Sequence, residues 1–311
     1  MLRSSPGRDS AAPPDGAVQA ADPYGEDLHL ALYLCYEQHY RGFAGVDPAW
    51  EWAPALLGLR AGLERRFLHA LRQDTEDRPC AADEAFAGIL AEPVDGVGLS
   101  HFLRDEGELW QLREYAAQRS LYHLKEADPH LWVVPRLRGR AKAGMVAVEF
   151  DEYGGGRAER MHSRLFADLM TDLGLDTTYG RYVDAATAET LASVNLMSVF
   201  GLHRALRGAL VGHFAAVEVT SSPASHRLAQ AMRRAGAGDA AVHFYAEHVE
   251  ADAVHEQVVR RDVVGGLLAD EPWLEADVAF GVAATDLLDT RVGERTLAAW
   301  HDGRSSLRTP L

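Results

Sequence analysis

The sequence predicts an all-α protein, a multi-helix bundle, and three observations carry that reading. Apolar residues recur at helical spacing from residue 26 onward. Val, Ile and Thr never alternate with polar residues for long enough to suggest a sheet. Breakers such as EPVDGVG, DPH, YGGGR, GLDTTYGR, SSP, AGAGD and ADEPW fall between the periodic stretches. No repeat of fixed period appears and no linker divides the periodic part, so one helical domain is expected over residues 26–305.

The elements follow in order. Residues 1–25 are rich in Pro, Gly, Ser, Ala and Asp with almost nothing to bury, and read as a disordered tail. The first helix, EDLHLALYLCYEQHYRGF, brings Leu28, Ala31, Leu32, Cys35 and Tyr36 to one face. The second, PALLGLRAGLERRFLHALRQ, does the same with Leu56, Leu59, Leu63, Phe67 and Leu71. Further helices are predicted over 82–91, 107–126, 129–152, 158–173, 184–206, 208–217, 223–235, 240–262 and 273–300. One stretch, FYAEHVEADAVHEQVV from Phe244 to Val259, holds His248, Asp252 and His255 at i, i+4 and i+7. At about 100° per residue those three side chains fall within about 60° of one another, so they converge on one stripe.

Composition narrows the function. A formal net charge of −15 argues against a nucleic-acid or anionic-membrane partner, since both need a basic field. The two cysteines, Cys35 and Cys80, are too few for a disulfide framework or a thiolate metal site, which fits a reducing cytoplasm. No apolar run approaches the ~18–20 residues of a membrane span, and the first residues lack the apolar core of a secretory signal. A metal here would have to sit on imidazole and carboxylate.

A second cluster of such residues lies upstream. Glu159 and His162 stand at i, i+3 on one predicted helix, the Glu-x-x-His arrangement that holds metal in carboxylate-bridged helical bundles. Glu152 precedes them, just before Gly154, Gly155 and Gly156, which must break the helix, and Glu126 lies one helix earlier. With Asp252 these make four carboxylates beside three imidazoles, His162, His248 and His255. That donor ratio suits redox-active iron or manganese better than structural zinc. Each motif alone reads more readily as a polar stripe or solvated helix face than as a metal site, and it is their combination that points to a metal. The other histidines, among them His39, His123, His130 and His243, read as surface or hydrogen-bonded groups, with His123 placed to hold Glu126 from the preceding turn. The tryptophans read as core or interface, Glu250 and Glu256 as pointing away from the stripe, and RLRGRAK (136–142) as a solvated or carboxylate-pairing face. The glycine run does not fit a phosphate cradle, because it follows a helix and lacks the Walker and dinucleotide patterns.

The order Glu126, Glu152, Glu159-x-x-His162, His248-x-x-x-Asp252-x-x-His255, with KEADPH and FDEYGGGR, resembles the haem-oxygenase-like di-iron oxidases and oxygenases, and within them an N-oxygenating branch of the streptozotocin pathway. The resemblance implies a haem-oxygenase-like bundle without haem. It implies Glu126, Glu152, His162, His248, Asp252 and His255 as core ligands of two Fe(II) ions, with Glu159 as a supplementary carboxylate that favours N-oxygenation. O2 as co-substrate, an external reductant or electron donor, and a small amine, guanidine or aminoazole substrate follow from it. Desaturation or C–C cleavage of a fatty or amino acid is the alternative chemistry. A non-catalytic or thiaminase-like helical protein is the alternative class, the latter needing a nucleophilic cysteine. A homodimer is compatible with all of these. The glycine run further suggests a weakly held second iron and a segment that orders on metal binding.

Overall fold

The apolar face of residues 26–37 needs cover, and it is covered: Leu28, Leu32, Cys35 and Tyr36 are buried on helix α1, Glu26–Glu37. The computed structural model describes residues 2, 15–91, 96 and 98–311, with the backbone alone at 15 and 250–254. Helix α2, Pro54–Asp74, starts on a proline at its first position, where a missing N–H costs nothing, and buries Leu56, Leu63, Phe67 and Leu71. Helix α3, Leu109–His123, begins with a reciprocal capping box between Glu108 and Gln111. Then come α4, Gly139–Glu152; α5, His162–Asp172; α6, Ala188–Leu202, capped by the Thr187 hydroxyl; α7, Arg207–Arg234; α8, Asp239–Val258; and α9, Glu275–His301. Shorter helices occupy Ala82–Leu90, Leu99–Asp105, Asp128–Leu131 and Gly265–Asp270. The described residues form no strand, and the protein is all-α, as its periodicity predicts.

Helix α7 is the spine. It packs along α8 on one side and α9 on the other, α5 lies on α8, and α6 bridges α1 and α9. The approach of α7 to α9 is set by glycine: a Cβ on Gly212 would lie 2.0 Å from the Val278 carbonyl oxygen, and one on Gly281 would lie 2.0 Å from that of Ala209. The same crossing is tied by His213 Nδ1 and Thr285 Oγ1 at 2.8 Å. One hydrophobic core gathers α1, α2, α4, α6, α7 and α9, and a second gathers α3, α5 and α8 with Trp300. The buried acids and imidazoles come from helices of both.

Several boundaries differ from expectation. Within the expected tail, residues 1 and 3–14 lie outside the described residues, whereas Asp15–Ala20 is helical, and Val18, Ala21 and Tyr24 pack onto the main core. Tyr24 also donates to Asp74 at 2.8 Å. Those three apolar side chains are enough to fasten the segment. The expected helix over 129–152 is divided: Pro135 and Gly139, with φ +47°, separate short turns from α4. Conversely, the expected break at SSP is absent, and α7 runs through Pro223 as one helix of 28 residues. Pro223 is exposed, and packing of both halves of α7 against its neighbours outweighs the local cost.

Candidate metal centre

Each candidate side chain is positioned by a local device. Glu126 follows α3 in a turn fixed by its neighbour Lys125, whose ammonium pairs with buried Glu37 and sits 4.3 Å from the Tyr40 ring centre. Tyr179 donates to the other oxygen of Glu37 at 2.6 Å. Glu152 is the last residue of α4, where Gly154, Gly155 and Gly156 all take left-handed φ values that glycine accepts without penalty. A Cβ on Gly154 would lie 2.5 Å from the Arg160 carbonyl carbon, so this glycine lets the chain double back on itself. That return delivers His162 opposite Glu152. His248 and His255 lie two turns apart on α8, and both are buried.

The buried groups meet. One ligand atom from each of Glu126, Glu152, His162 and His248 lies within 4.8 Å of the others, and Glu152, Glu218 and His255 form a second such group. Glu152 belongs to both. His162 Nδ1 stands 2.7 Å from Glu152 Oε2, and the His162 and His248 rings are 4.3 Å apart. His255 Nδ1 is 3.7 Å from Glu152 Oε1 and 3.2 Å from Glu218 Oε2, while its Nε2 is 3.3 Å from Asp151.

One expected feature turns out otherwise, and another lies outside the described residues. Glu159 and His162 do not share a helix: Glu159 sits exposed on the 3-10 turn Ala158–Arg160, Met161 is extended with ψ 135°, and α5 begins only at His162. The three-residue turn and the extended Met161 destroy the common face that i, i+3 spacing gives a continuous α-helix, and Glu159 is in neither buried group. The side chain of Asp252 lies outside the described residues. Two further buried acids, Glu218 and Glu149, stand in no metal-like spacing in the sequence. Glu218 and His213 are the polar side chains in the otherwise apolar run 208–219, and an acid isolated in such a run is a signal that periodicity ignores.

Protonation follows from the contacts. Arg119 Nε donates to His123 Nε2 at 3.3 Å, which leaves His123 Nδ1–H to donate to Glu126 at 2.9 Å, as the sequence placed it to do. Burial opposes the Glu126 carboxylate, but His123 and His248 outweigh it and hold its pKa well below the usual range. Burial also lowers His123, so the pair is a neutral imidazole donating to a carboxylate. Burial opposes protonation of His255 too, yet Glu218, Glu152 and Asp151 prevail and hold its pKa at about 9. Glu149, one turn before Glu152, is kept protonated by burial and by the carboxylates of Glu152 and Glu218, and it has no hydrogen-bond partner among the described residues.

These residues fit a metal. His248 commits Nδ1–H to the Phe244 carbonyl at 2.8 Å, which turns Nε2 toward Glu126 Oε1, 3.9 Å away. That separation is about the distance between two ligands at ~2.0–2.2 Å from one cation. Carboxylates and imidazoles converging without Lys or Arg among them make a donor set suited to first-row redox metals.

A cavity of about 290 Å³ opens onto the first group, lined by Glu126 and His248 and also by Arg119, His213, Tyr245 and Asp289. A groove of about 580 Å³ between residues 17–31 and α2 is larger, but it holds no such cluster. Burial pushes the Cys35 thiol up to about 12, and Cys35 packs with Trp50, Ala53 and Leu56 away from the cavity, so it is no candidate nucleophile.

An all-helical bundle enclosing a shared-carboxylate, imidazole-rich centre defines the class of metal-dependent redox proteins. The chain belongs to the family of iron-containing redox enzymes, whose model matches residues 113–290. It is also similar to the nitrosourea synthase of Streptomyces achromogenes subsp. streptozoticus, 25% identical over 181 residues that cover 58% of this chain. The match spans only 38% of that protein's length. No described helix is long and apolar enough to cross a membrane.

Proposed function

We propose that the protein is a non-haem, di-iron, O2-dependent N-oxygenase that oxidises a nitrogen of a small polar molecule. The observation that carries this reading is the carboxylate of Glu152, shared between two buried donor groups beside a cavity. Glu126, His162 and His248 with Glu152 would hold one iron, and Glu152, Glu218 and His255 the other. Iron bound there would supply the O2 chemistry that no protein side chain offers, with an external reductant returning it to Fe(II). The chain's own residues supply the rest. His123 keeps Glu126 ionised and oriented, the Phe244 carbonyl fixes the His248 tautomer, and Glu149 holds a proton one turn from Glu152. The relative named for nitrosourea synthesis supports nitrogen as the atom oxidised, and the polar groups set into the largely apolar cavity wall, among them Arg119, Ser193, His213 and Tyr245, support a substrate with polar groups.

The test is anaerobic loading with Fe(II), then mixing with O2 under stopped-flow absorption, with amines and fatty acids screened side by side. The expected result is two irons per chain and a transient absorption whose decay an amine hastens. Decay hastened by a fatty acid and by no amine would replace N-oxygenation with the carbon-directed alternative. No iron-dependent O2 uptake would remove the oxygenase reading.

A further inference from the structure

One face of the molecule reaches the buried cluster from outside. The Asp151 side chain is 58% exposed, yet its Oδ2 stands 3.3 Å from Nε2 of His255, whose own side chain is buried. His255 turns Nδ1 toward Glu152 and Glu218, so its Nε2–H donates outward to a carboxylate at the surface. Beside Asp151 the surface of α4 is apolar. Lys142, Val146 and Phe150 follow one another at i, i+4 and i+8 along one stripe, with Val146 45% and Phe150 55% exposed. The Phe150 ring extends onto the glycine turn, where a Cβ on Gly155 or Gly156 would touch it at 3.8 and 3.7 Å. Arg157 leaves that turn directly, and the backbone of Arg160 folds back against Gly154. Lys142, Arg157 and Arg160 form no ion pair among the described residues. Charge sets the segment apart: residues 136–164 hold seven of the chain's 31 Lys and Arg against four acids, two of which, Glu149 and Glu152, are buried, whereas the whole chain carries −15. Exposed apolar side chains rimmed by cations suit a protein surface of opposite sign.

We propose that this face, centred on Val146 and Phe150 and rimmed by Lys142, Arg157 and Arg160, docks a small acidic one-electron carrier protein. The inference rests on the oxygenase reading, which makes the buried cluster the electron acceptor. Each transfer oxidises the carrier by one electron and turns one Fe(III) into Fe(II), with no bond made or broken, and two transfers restore the pair. The hydrogen bond from His255 to Asp151 joins the centre to the docked surface. From Lys142 to Phe150 the helix rises about 12 Å. With Arg157 and Arg160 beyond it, the footprint matches the small interfaces that redox partners form. The acidic remainder of the chain repels the same partner, which confines the encounter to this face.

The test is anaerobic stopped-flow reduction of the Fe(III)-loaded protein, followed by loss of its ferric absorption. The donors are a reduced [2Fe–2S] ferredoxin and a reduced flavodoxin, both small acidic proteins, beside the methyl viologen radical cation, which needs no docking face. At least one carrier is expected to reduce the protein at a rate that rises with its concentration and falls with salt. The double change Arg157→Glu, Arg160→Glu should slow that carrier about ten-fold or more and leave the viologen rate unchanged. An equal change of net charge at exposed Arg65 and Arg233, each to Glu, should do little. Calorimetric titration with the same carrier oxidised reads binding without electron transfer, and should show the same loss. Reduction by viologen but by neither carrier, or equal rates in the two double variants, overturns the inference and leaves the iron centre standing. A dimer in solution that Arg157→Glu, Arg160→Glu dissociates gives the face to a second copy and overturns it as well. A carrier that binds with the same charge dependence to a protein in which viologen finds no reducible metal supports the docking face and overturns the oxygenase reading.

Discussion

Glu218 changes the chemistry of its neighbour. Buried beside His255, it joins Glu152 and Asp151 in holding an imidazolium where burial alone would favour a neutral ring. A divalent cation can take that proton's place, with the same carboxylates compensating it. Replacing Glu218 by Gln should therefore weaken the second metal ion by about 10–100-fold and leave the first near its wild-type affinity. Co(II) titration followed by absorption resolves the two steps, and equal weakening of both would show that Glu218 serves the centre as a whole. Lys125 works at the same scale but for stability. It is 1% exposed, and removing its ammonium leaves Glu37 charged and buried beside Tyr179. Lys125→Met should cost about 3–5 kcal/mol, and the double change with Glu37→Leu should recover much of it. Urea unfolding of the two variants decides the matter. A double variant no more stable than the single would mean that the loss is one of packing.

At the scale of elements, the centre depends on how closely α7 and α9 approach, because α7 carries Glu218 and both helices line the cavity. Their reciprocal glycines leave no room for a methyl group, and the atoms that a Cβ would strike belong to the opposing backbone, which cannot swing aside. Gly281→Ala should therefore destabilise by about 1–3 kcal/mol. It should also lower metal affinity, whereas Gly293→Ala on the same helix, with open space around it, should do neither. Thermal unfolding and Co(II) titration check both halves of the prediction, and equal behaviour of the two variants would refute it. This crossing was not legible in the sequence, where Gly212 and Gly281 look like weak points in helical runs. The helices themselves were legible, because the buried faces of α1 and α2 follow the 3.6-residue period. What periodicity could not weigh was tertiary context. Packing carries α7 through Pro223, and one extended residue, Met161, separates Glu159 from His162.

Across the whole molecule, the centre gathers residues from 126 to 255, brought together by five separate segments. Spacing within a segment revealed His248 and His255, but spacing cannot say which segments meet, so Glu218 and the cavity wall emerged only from the packing. The same burial makes the protein acid-sensitive. His29 on α1 is fully buried, with Nε2 3.0 Å from the Pro23 carbonyl and Nδ1 3.3 Å from Asn195. Burial lowers its pKa to about 4, more than the Pro23 carbonyl can offset. In the unfolded chain the ring titrates near 6.5, so between pH 6.5 and 4 the unfolded state binds a proton that the folded state refuses. Stability is thus complete above 6.5 and falls as the pH drops toward 4, by about 3 kcal/mol for this one group. Urea midpoints at pH 7.5, 6.0 and 5.0 should fall more steeply for the wild type than for His29→Gln, whose amide carries no proton to lose or gain. His130, similarly lowered to about 4 by burial, remains in both proteins and contributes equally to each curve. Parallel curves would mean that His29 is already protonated in the native state, or that its neighbourhood opens before it titrates.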